Sequence, residues 1–406
     1  MNNQIIPENI IQVVQTLRNA GHEALLAGGC VRDMLLGVTP YDYDVATSAR
    51  PDEVVKLFKR SLTVGAQFGV VVVLMDKDQI EVATFRSDID YSDGRRPEKV
   101  IYTTAHADAL RRDFTINGMF YDPISNEVID YVGGKKDLAA GIIRAIGNAD
   151  QRFAEDHLRM LRAIRFAGRF NYKIENKTWT AICKHSHKIQ KISSERITTE
   201  LQKIMTDSNR VKSMEMASET GLLNIIFSEL TSEQLRIGLH TMNQLADACD
   251  DFALAMALLL IQCKSRLCDK ICRKMTFSND TRKKILWLND NYQKLLNSIP
   301  FSKGHLKLWL AENHFDELIE FTRVYLKVNN KDSKKLQLLS NQIKELGDEE
   351  VAPQPYITGD DLIKMGVKPG PDMGRLLNEI YLGQLEGDIA NHDQAVKQVI
   401  KIRKFK

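Results

Sequence analysis

Residues 25–47 read LLAGGCVRDMLLGVTPYDYDVAT. A short apolar strand, Leu25 to Ala27, enters the pair Gly28-Gly29. The segment Val31 to Leu36 reads as a helix, and after a Gly37/Pro40 turn come Asp42 and Asp44 with Tyr43 between them. Successive side chains of a strand alternate faces, so the two carboxylates are expected side by side. A glycine pair ahead of a helix lets backbone N–H groups approach an anion, and Arg32 adds a cation there. Hard oxygen ligands beside such a turn suit Mg²⁺, which uses one or two carboxylates and completes its shell with water and substrate phosphates. The stretch predicts metal-dependent phosphoryl transfer.

The segments around it predict a mixed α/β unit with an antiparallel flavour, because hairpins outnumber βαβ crossovers. Ile10, Ile11, Val14 and Leu17 are spaced for a helix over 8–20, which Gly21 stops. Pro51 to Phe58 reads as a second helix. Val64-Gly65 and Gly69 to Leu74 read as a hairpin, and QIEVATFR, 79–86, as a further strand. Glu81 is the one carboxylate in the buried pattern of that strand. It is a third acidic group for the metals, or a solvent-face residue of an edge strand. Residues 87–110 mix charges with Gly94 and Pro97 and show little periodicity, as functional or disordered segments do. Arg111-Arg112-Asp113 follows, leading into Phe114 to Asn117, and paired arginines can clamp a triphosphate.

The whole chain has 406 residues, enough for two to four domains, with 43% hydrophobic and 27% charged residues. A net charge of +3 is too small to demand nucleic acid by itself. Six cysteines without a CxxC pair predict free thiols in a reducing compartment. The N-terminus lacks the pattern of a signal or transit peptide, and no apolar run approaches the ~20 residues of a membrane span. A cytoplasmic protein with no membrane partner is expected. From about residue 148 the strand signals fade. DQRFAEDHLRMLRAIRFAGR, 150–169, predicts one continuous helix. On it Asp156 and Arg159 are neighbours able to pair, and Arg159, Arg162, Arg165 and Arg169 form a row facing a nucleotide or solvent. SSERITTELQKIM, 193–205, predicts a serine-capped helix. Helical period continues to Gly347 with Trp287 and Trp309 in cores, and a terminal helical module ends on a basic tail.

Taken together these segments resemble the class II tRNA nucleotidyltransferases, the family of CCA-adding enzymes and bacterial poly(A) polymerases. Five ordered motifs over the first ~205 residues carry the resemblance. Gly28, Gly29, Val31, Arg32 and Asp33 with Asp42 and Asp44 match the metal and phosphate motif. Arg111, Arg112 and Asp113 match the ribose and triphosphate motif, with Asn117 just beyond. Residues around Asp137 to Gly147 match the hinge. Glu155, Asp156 and Arg159 match the EDxxR nucleotide-selecting motif, near Arg162 and Arg165. Glu195 and Arg196 lie in the final neck motif, and GDDLIKMGVKPGPDMGRLL resembles the tail of bacterial members.

The resemblance implies an α+β fold: a polymerase-beta-like nucleotidyltransferase head over 1–148 with a mixed sheet, then an all-α neck (149–213), body (214–347) and tail (348–406). It implies catalytic Asp42, Asp44 and Glu81, two Mg²⁺ ions on Asp42 and Asp44, and CTP, ATP and the tRNA acceptor arm as partners. Cytosine and adenine both offer an exocyclic amino donor beside a ring-nitrogen acceptor, whereas uracil and guanine reverse the pattern. A carboxylate beside a guanidinium, as in Asp156 and Arg159, matches the first pair and opposes the second.

Within the family, poly(A) polymerases carry a basic, His-containing signature on the strand before IEVATFR, and here VGAQFGVVVV has none. Enzymes adding only CC have a shortened loop before RRD, whereas the 87–110 loop is full length and carries Asp93-Gly94-Arg95-Arg96-Pro97. Complete CCA addition is therefore the first expectation. A-only addition beside a separate CC-adding enzyme is the second, and a poly(A) polymerase or an idle RNA-binding protein on the same scaffold is the third.

Overall fold

The computed structural model describes residues 6–65, 69–75, 78–91 and 97–404. The chain folds as two compact units, residues 1–232 with 247–250 and 274–276, and residues 233–246 with 251–273 and 277–406.

The first unit is built on a seven-stranded mixed sheet. In chain order its strands are β1 (Ala24–Ala27), β2 (Val45–Thr47), β3 (Ser61–Gly65), β4 (Val70–Met75) and β5 (Asp78–Thr84), then, after a separate hairpin of β6 (Arg86–Tyr91) and β7 (Pro97–Tyr102), β8 (Met119–Asp122) and β9 (Glu127–Asp130). Their order across the sheet is β3-β4-β5-β2-β1-β8-β9, with β2 and β5 parallel and the other neighbours antiparallel. Every residue of β1 is buried, which is why its sequence is an unbroken apolar run rather than an alternating one. Leu25 and Ala27 join Ala46, Phe85, Phe120 and the small Ala105 and Ala109 of α4 (Ala105–Arg111) in one core. Helix α1 (Glu8–Asn19) packs against β1 and buries Ile10, Val13, Val14 and Leu17. Gly21, at φ +87°, ends it as predicted.

The α2 (Gly29–Leu35) and α3 (Pro51–Leu57) helices match the sequence reading. The 87–110 segment does not. Its described part is the β6/β7 hairpin and then α4, so the lack of period reflected a two-stranded ribbon rather than an absence of structure. Asp93 to Arg96 lie outside the described residues. Next come α5 (Gly134–Ala140), a short parallel pair joining β10 (Ile142–Ile143) to β11 (Lys173–Ile174), and the helices α6 (Ala149–Glu155), α7 (Arg159–Arg169), α8 (Asn176–His185) and α9 (Ser194–Met205). Ser193 stands at the N-cap of α9 but its hydroxyl makes no capping bond.

The described residues of the second unit are helical, without a strand. Phe252–Leu259 is buried along its whole length. The helix Ser232–Met242 approaches it so closely that a Cβ on Gly238 would lie 2.0 Å from the Leu259 carbonyl oxygen. Trp287 and Trp309 meet edge to face with centroids 6.3 Å apart but are half-buried, not in a core. Towards the C-terminus Leu362, Met373, Leu376, Ile380, Ala395 and Val399 form a separate small core. The six cysteines are free thiols. Among the described residues no helix is long and apolar enough to cross a membrane.

Gly238→Ala is expected to destabilise the protein by about 1–3 kcal/mol, because the clash is with backbone that cannot rotate away. Gly374→Ala, in a helix where an added Cβ meets nothing within 4 Å, should be neutral or raise stability by up to about 1 kcal/mol. Thermal and urea unfolding of the two variants followed by circular dichroism checks the pair.

Candidate active site

The paired carboxylates stand at one end of the central strands. Asp44 lies one residue ahead of β2 rather than within a strand, although its carbonyl oxygen accepts the Ala27 N–H at 3.0 Å and so continues the β1/β2 ladder. In the parallel β2/β5 pair Val45 sits opposite Val82, and one step back along that register brings Asp44 opposite Glu81. Glu81 is exposed and its strand is interior to the sheet, which corrects both the buried pattern and the edge strand read from sequence. Burial, then the charges of Asp42 and Glu81, push the Asp44 carboxyl up to about 6 against the opposing pull of Arg112. The three acidic groups therefore sense one another.

Among the described residues no three His, Cys, Asp or Glu side chains converge as a ready-made metal cage. Mutually repelling carboxylates offering only oxygen, with part of the coordination shell left to water and ligand, are the donor set of a hard divalent cation. The residues present fit such an ion.

Gly28 makes room for an arginine. Its φ is +75°, and its N–H is donated to the Met119 carbonyl oxygen at 3.1 Å. A Cβ there would lie 2.8 Å from Arg112 Nη1, so the missing side chain makes room for that guanidinium. Asp108 orients the arginine pair and was not singled out from sequence, although it lies three and four residues before them on α4. Its Oδ1 accepts from Arg111 Nε at 2.9 Å and its Oδ2 from Arg112 Nη2 at 2.9 Å. Asp108 is buried, which opposes ionisation, yet Arg112 and Arg111 hold its carboxyl below the usual range. Arg32 is less free than predicted. It is buried, donates to Asn117 Oδ1 at 2.6 Å and Asp33 Oδ1 at 2.8 Å, and lies over the Phe166 and Phe170 rings.

The predicted helix over 150–169 is broken at Asp156. Its backbone is extended (φ −142°, ψ 105°), ending α6, and its Oδ1 accepts the Leu158 N–H at 3.0 Å at the start of α7. An aspartate that satisfies a helix-end amide competes with the continuing helix, which helical spacing alone does not reveal. Beside it His157 is buried with Nδ1 2.6 Å from the Phe153 carbonyl oxygen; a carbonyl only accepts, so Nδ1 carries the hydrogen. The expected Asp156–Arg159 pair is consequently absent. Asp156 Oδ2 accepts from Arg196 Nη2 of α9 at 2.9 Å, while Arg159 Nη1 pairs with Glu155 Oε2 at 2.6 Å and Nη2 donates to the Arg111 carbonyl oxygen at 3.1 Å.

The arginine row divides. Arg162 binds Asp113 Oδ2 through Nε at 2.9 Å and Nη2 at 2.6 Å. Burial would raise the Asp113 pKa, but Arg162, the Asn117 amide and Arg159 more than offset it and lower it to about 2. Arg165 is buried on the other side, 2.6 Å from Glu200 Oε2 and over the Phe166 ring. Arg169 is exposed.

These groups enclose a cleft of about 390 Å³. Gly28, Gly29, Arg32 and Asp44 line one side of it. Arg111, Arg112, Asp113 and Asn117 line another, and Asp156, Arg159, Arg162 and Phe166 complete it. Five arginines against three aspartates make the lining suited to a polyanion. Asp33, Asp42, Glu81, Glu155 and Arg165 do not line it: Asp42 and Glu81 flank Asp44, and the other three hold arginines or are held by carboxylates. Asp108, Phe166, Arg196 and Glu200 complete the arrangement. A larger cavity of about 790 Å³ runs along residues 144–150 and α8; the end of the hinge stretch, Arg144 to Gly147, lines it, but none of the predicted catalytic or nucleotide-binding residues do.

The sign of the Asp44 shift fixes a pH dependence. A carboxyl whose folded pKa lies near 6 and whose unfolded pKa lies near 3.8 binds more protons when folded, so metal-free protein loses stability as pH rises through that window. Denaturant unfolding in EDTA at pH 4.5 and 6.5 is expected to show a loss of roughly 1–3 kcal/mol, much reduced in Asp44→Asn.

The chain is similar to known proteins over most of its length. Residues 24–144 match the poly A polymerase head domain, 171–234 the probable RNA and SrmB-binding site of polymerase A, and 249–400 the putative tRNA nucleotidyltransferase domain 2. A CCA-adding enzyme of Leuconostoc mesenteroides is 32% identical over 98% of this chain and 97% of its own. One from Enterococcus faecalis is 45% identical over 49% of each. The crystal structure of the Bacillus stearothermophilus CCA-adding enzyme in complex with CTP is 25% identical, covers 98% of this chain and 99% of that one, and superposes with a TM-score of 0.71. On the full-length similarity and the shared fold, the chain belongs to the CCA-adding enzyme family of tRNA nucleotidyltransferases.

Proposed function

We propose that this protein adds C, C and A to the 3′ end of tRNA from CTP and ATP. The observation that carries the reading is the single cleft in which Asp44, the Arg111-Arg112-Asp113 segment and the Asp156/Arg159 turn meet, although more than a hundred residues separate the first from the last. Head (1–148) and neck (149–213) would then hold the chemistry and the choice of nucleotide, with body (214–347) and tail (348–406) left for tRNA.

Enzymes of the family use a divalent metal; two Mg²⁺ held by Asp42 and Asp44, with Glu81 beside them, suit this donor set. Bound there, such ions activate the attacking hydroxyl and stabilise charge on the leaving oxygen. The 3′-oxygen of the tRNA bonds to the α-phosphorus of the nucleotide, the bond from that phosphorus to the bridging oxygen breaks, and pyrophosphate leaves. Arg111 and Arg112, pre-oriented by Asp108, would neutralise the triphosphate with Gly28, Gly29 and Arg32 behind it. Asp113 and Asn117 face the ribose, and Asp113 also fixes Arg162 at the cleft.

Base choice falls to Asp156 and Arg159. Arg196 and the Leu158 amide each take one oxygen of Asp156, and a carboxylate with about four lone-pair sites still accepts an amino group from cytosine or adenine. Arg159, held by Glu155, keeps a guanidinium for the ring nitrogen. UTP and GTP would oppose acceptor to acceptor and donor to donor, a mismatch able to discriminate by roughly 10⁴. Arg165, bound to Glu200, would support α7 rather than touch nucleotide. Free thiols and substrates of this kind favour a cytoplasmic location.

Labelled CTP and ATP offered to tRNA transcripts ending before CCA, after C and after CC should all be extended. Extension of the last alone would mean A-only addition, long adenosine tracts a poly(A) polymerase, and no extension an idle binder. Asp42→Ala is expected to abolish incorporation and leave tRNA binding largely intact; substantial residual incorporation would sink the metal assignment. Asp156→Ala should lose at least about 100-fold of the preference for CTP and ATP over UTP and GTP, measured as a ratio of kcat/KM values.

A further inference from the structure

The turn that delivers the two aspartates carries a feature the chemistry above does not use. Tyr41, immediately before Asp42, is fully exposed. Leu36 and Val38 on the same turn are also exposed, at 37% and 55%. The backbone beneath them is fixed: Gly37 N–H donates to the Met34 carbonyl oxygen at 3.1 Å and Val38 N–H to the Asp33 carbonyl oxygen at 2.9 Å. Other exposed tyrosines of the first unit have ring partners. Tyr131 meets His106 and Phe120, and Arg50 sits over Tyr102. Among the described residues the Tyr41 ring has none.

We propose that Tyr41 is a stacking platform for the unpaired 3′-terminal base of the RNA acceptor, placing its hydroxyl beside Asp42 and Asp44. The inference rests on the nucleotidyltransferase reading, which requires that hydroxyl to reach the carboxylates. A nucleotide is short, so the base attached to the ribose that bears the hydroxyl lies close to the aspartates, and Tyr41 is joined to Asp42 by one peptide bond. The incoming nucleotide has its own base-reading groups in Asp156 and Arg159, so the unpartnered ring falls to the other reactant. Stacking suits a task that repeats on changing ends, because every base has a π-face and an aromatic ring binds it without reading its edge. The acceptor's last base is whatever the RNA itself ends on before the first addition and C before the second and third, so the site must take more than one base. A hydrogen-bonding residue here would reject some of those ends, whereas a ring accepts all of them.

Two measurements on the full-length protein test this. In the first, a tRNA transcript ending before CCA carries 2-aminopurine, a base whose fluorescence falls on stacking, as its terminal nucleotide. It is titrated with wild type, Tyr41→Phe and Tyr41→Ala without nucleotide. Quenching by wild type and Tyr41→Phe and its loss in Tyr41→Ala are expected; equal quenching by all three overturns the proposal. In the second, Tyr41→Ala should raise KM for the RNA by about 5- to 100-fold on all three acceptor ends, with KM for CTP little changed and Tyr41→Phe restoring the wild-type value. An unchanged KM for RNA overturns the proposal. Failure of wild type to incorporate CTP would instead count against the proposed function, and the fluorescence measurement, which needs no turnover, still decides the role of Tyr41.

Discussion

Arg162 on Asp113 is the interaction on which the cleft depends. It ties the segment leading out of α4 to the middle of α7 through two hydrogen bonds, and it holds the Asp113 carboxyl ionised down to about pH 2. Asp113 and Asn117 then form the next link, the amide bridging Asp113 Oδ1 to Arg32. On the far side Glu200 holds Arg165 and lies 3.9 Å from Arg162. Few of these charges can be removed singly without leaving a partner buried and unpaired, a loss that costs about 3–5 kcal/mol. Such a network gives little net stability compared with an apolar core. Its effect is on geometry, because every arginine on the cleft is fixed by a carboxylate or a carbonyl before a ligand arrives.

The sheet supplies the complementary constraint. With β1 interior to the sheet and buried along its length, the strand ends cannot shift, and the Asp44 carbonyl bonded to Ala27 fixes where the aspartate turn leaves the ladder. Gly28 then leaves the gap through which Arg112 approaches. Against this rigid frame the acidic group of Asp44, Asp42 and Glu81 is electrostatically unfavourable until a cation or a proton arrives. A site whose empty state is destabilised in this way binds a cation more strongly for the same contacts.

Much of the molecule was legible in the chain itself. The apolar run into Gly28-Gly29, the DYD spacing, the Arg111-Arg112-Asp113 segment and the EDHLR stretch each carry their chemistry in residue type and spacing, and the strands and helices around them follow hydrophobic period. The glycine stop of α1, the hairpin of β3 and β4 and the buried β1 strand need only local rules. The mixed sheet followed by helices was readable for the same reason, since it follows from where period two gives way to period 3.6.

What only the tertiary structure decided is which partner each charged group takes. Spacing placed Asp156 beside Arg159, yet the helix breaks there because the carboxylate caps α7 and meets Arg196, forty residues away. Arg165 belongs to the same periodic row as Arg162 but faces Glu200 instead of the cleft, and Glu81 joins the aspartates only through the parallel register of β2 and β5. Sequence determines which groups a segment can present, because propensity and periodicity are local. Pairing is a long-range property: it depends on which surfaces the packed sheet and helices bring within 3 Å of one another, and that exists only once the chain has folded.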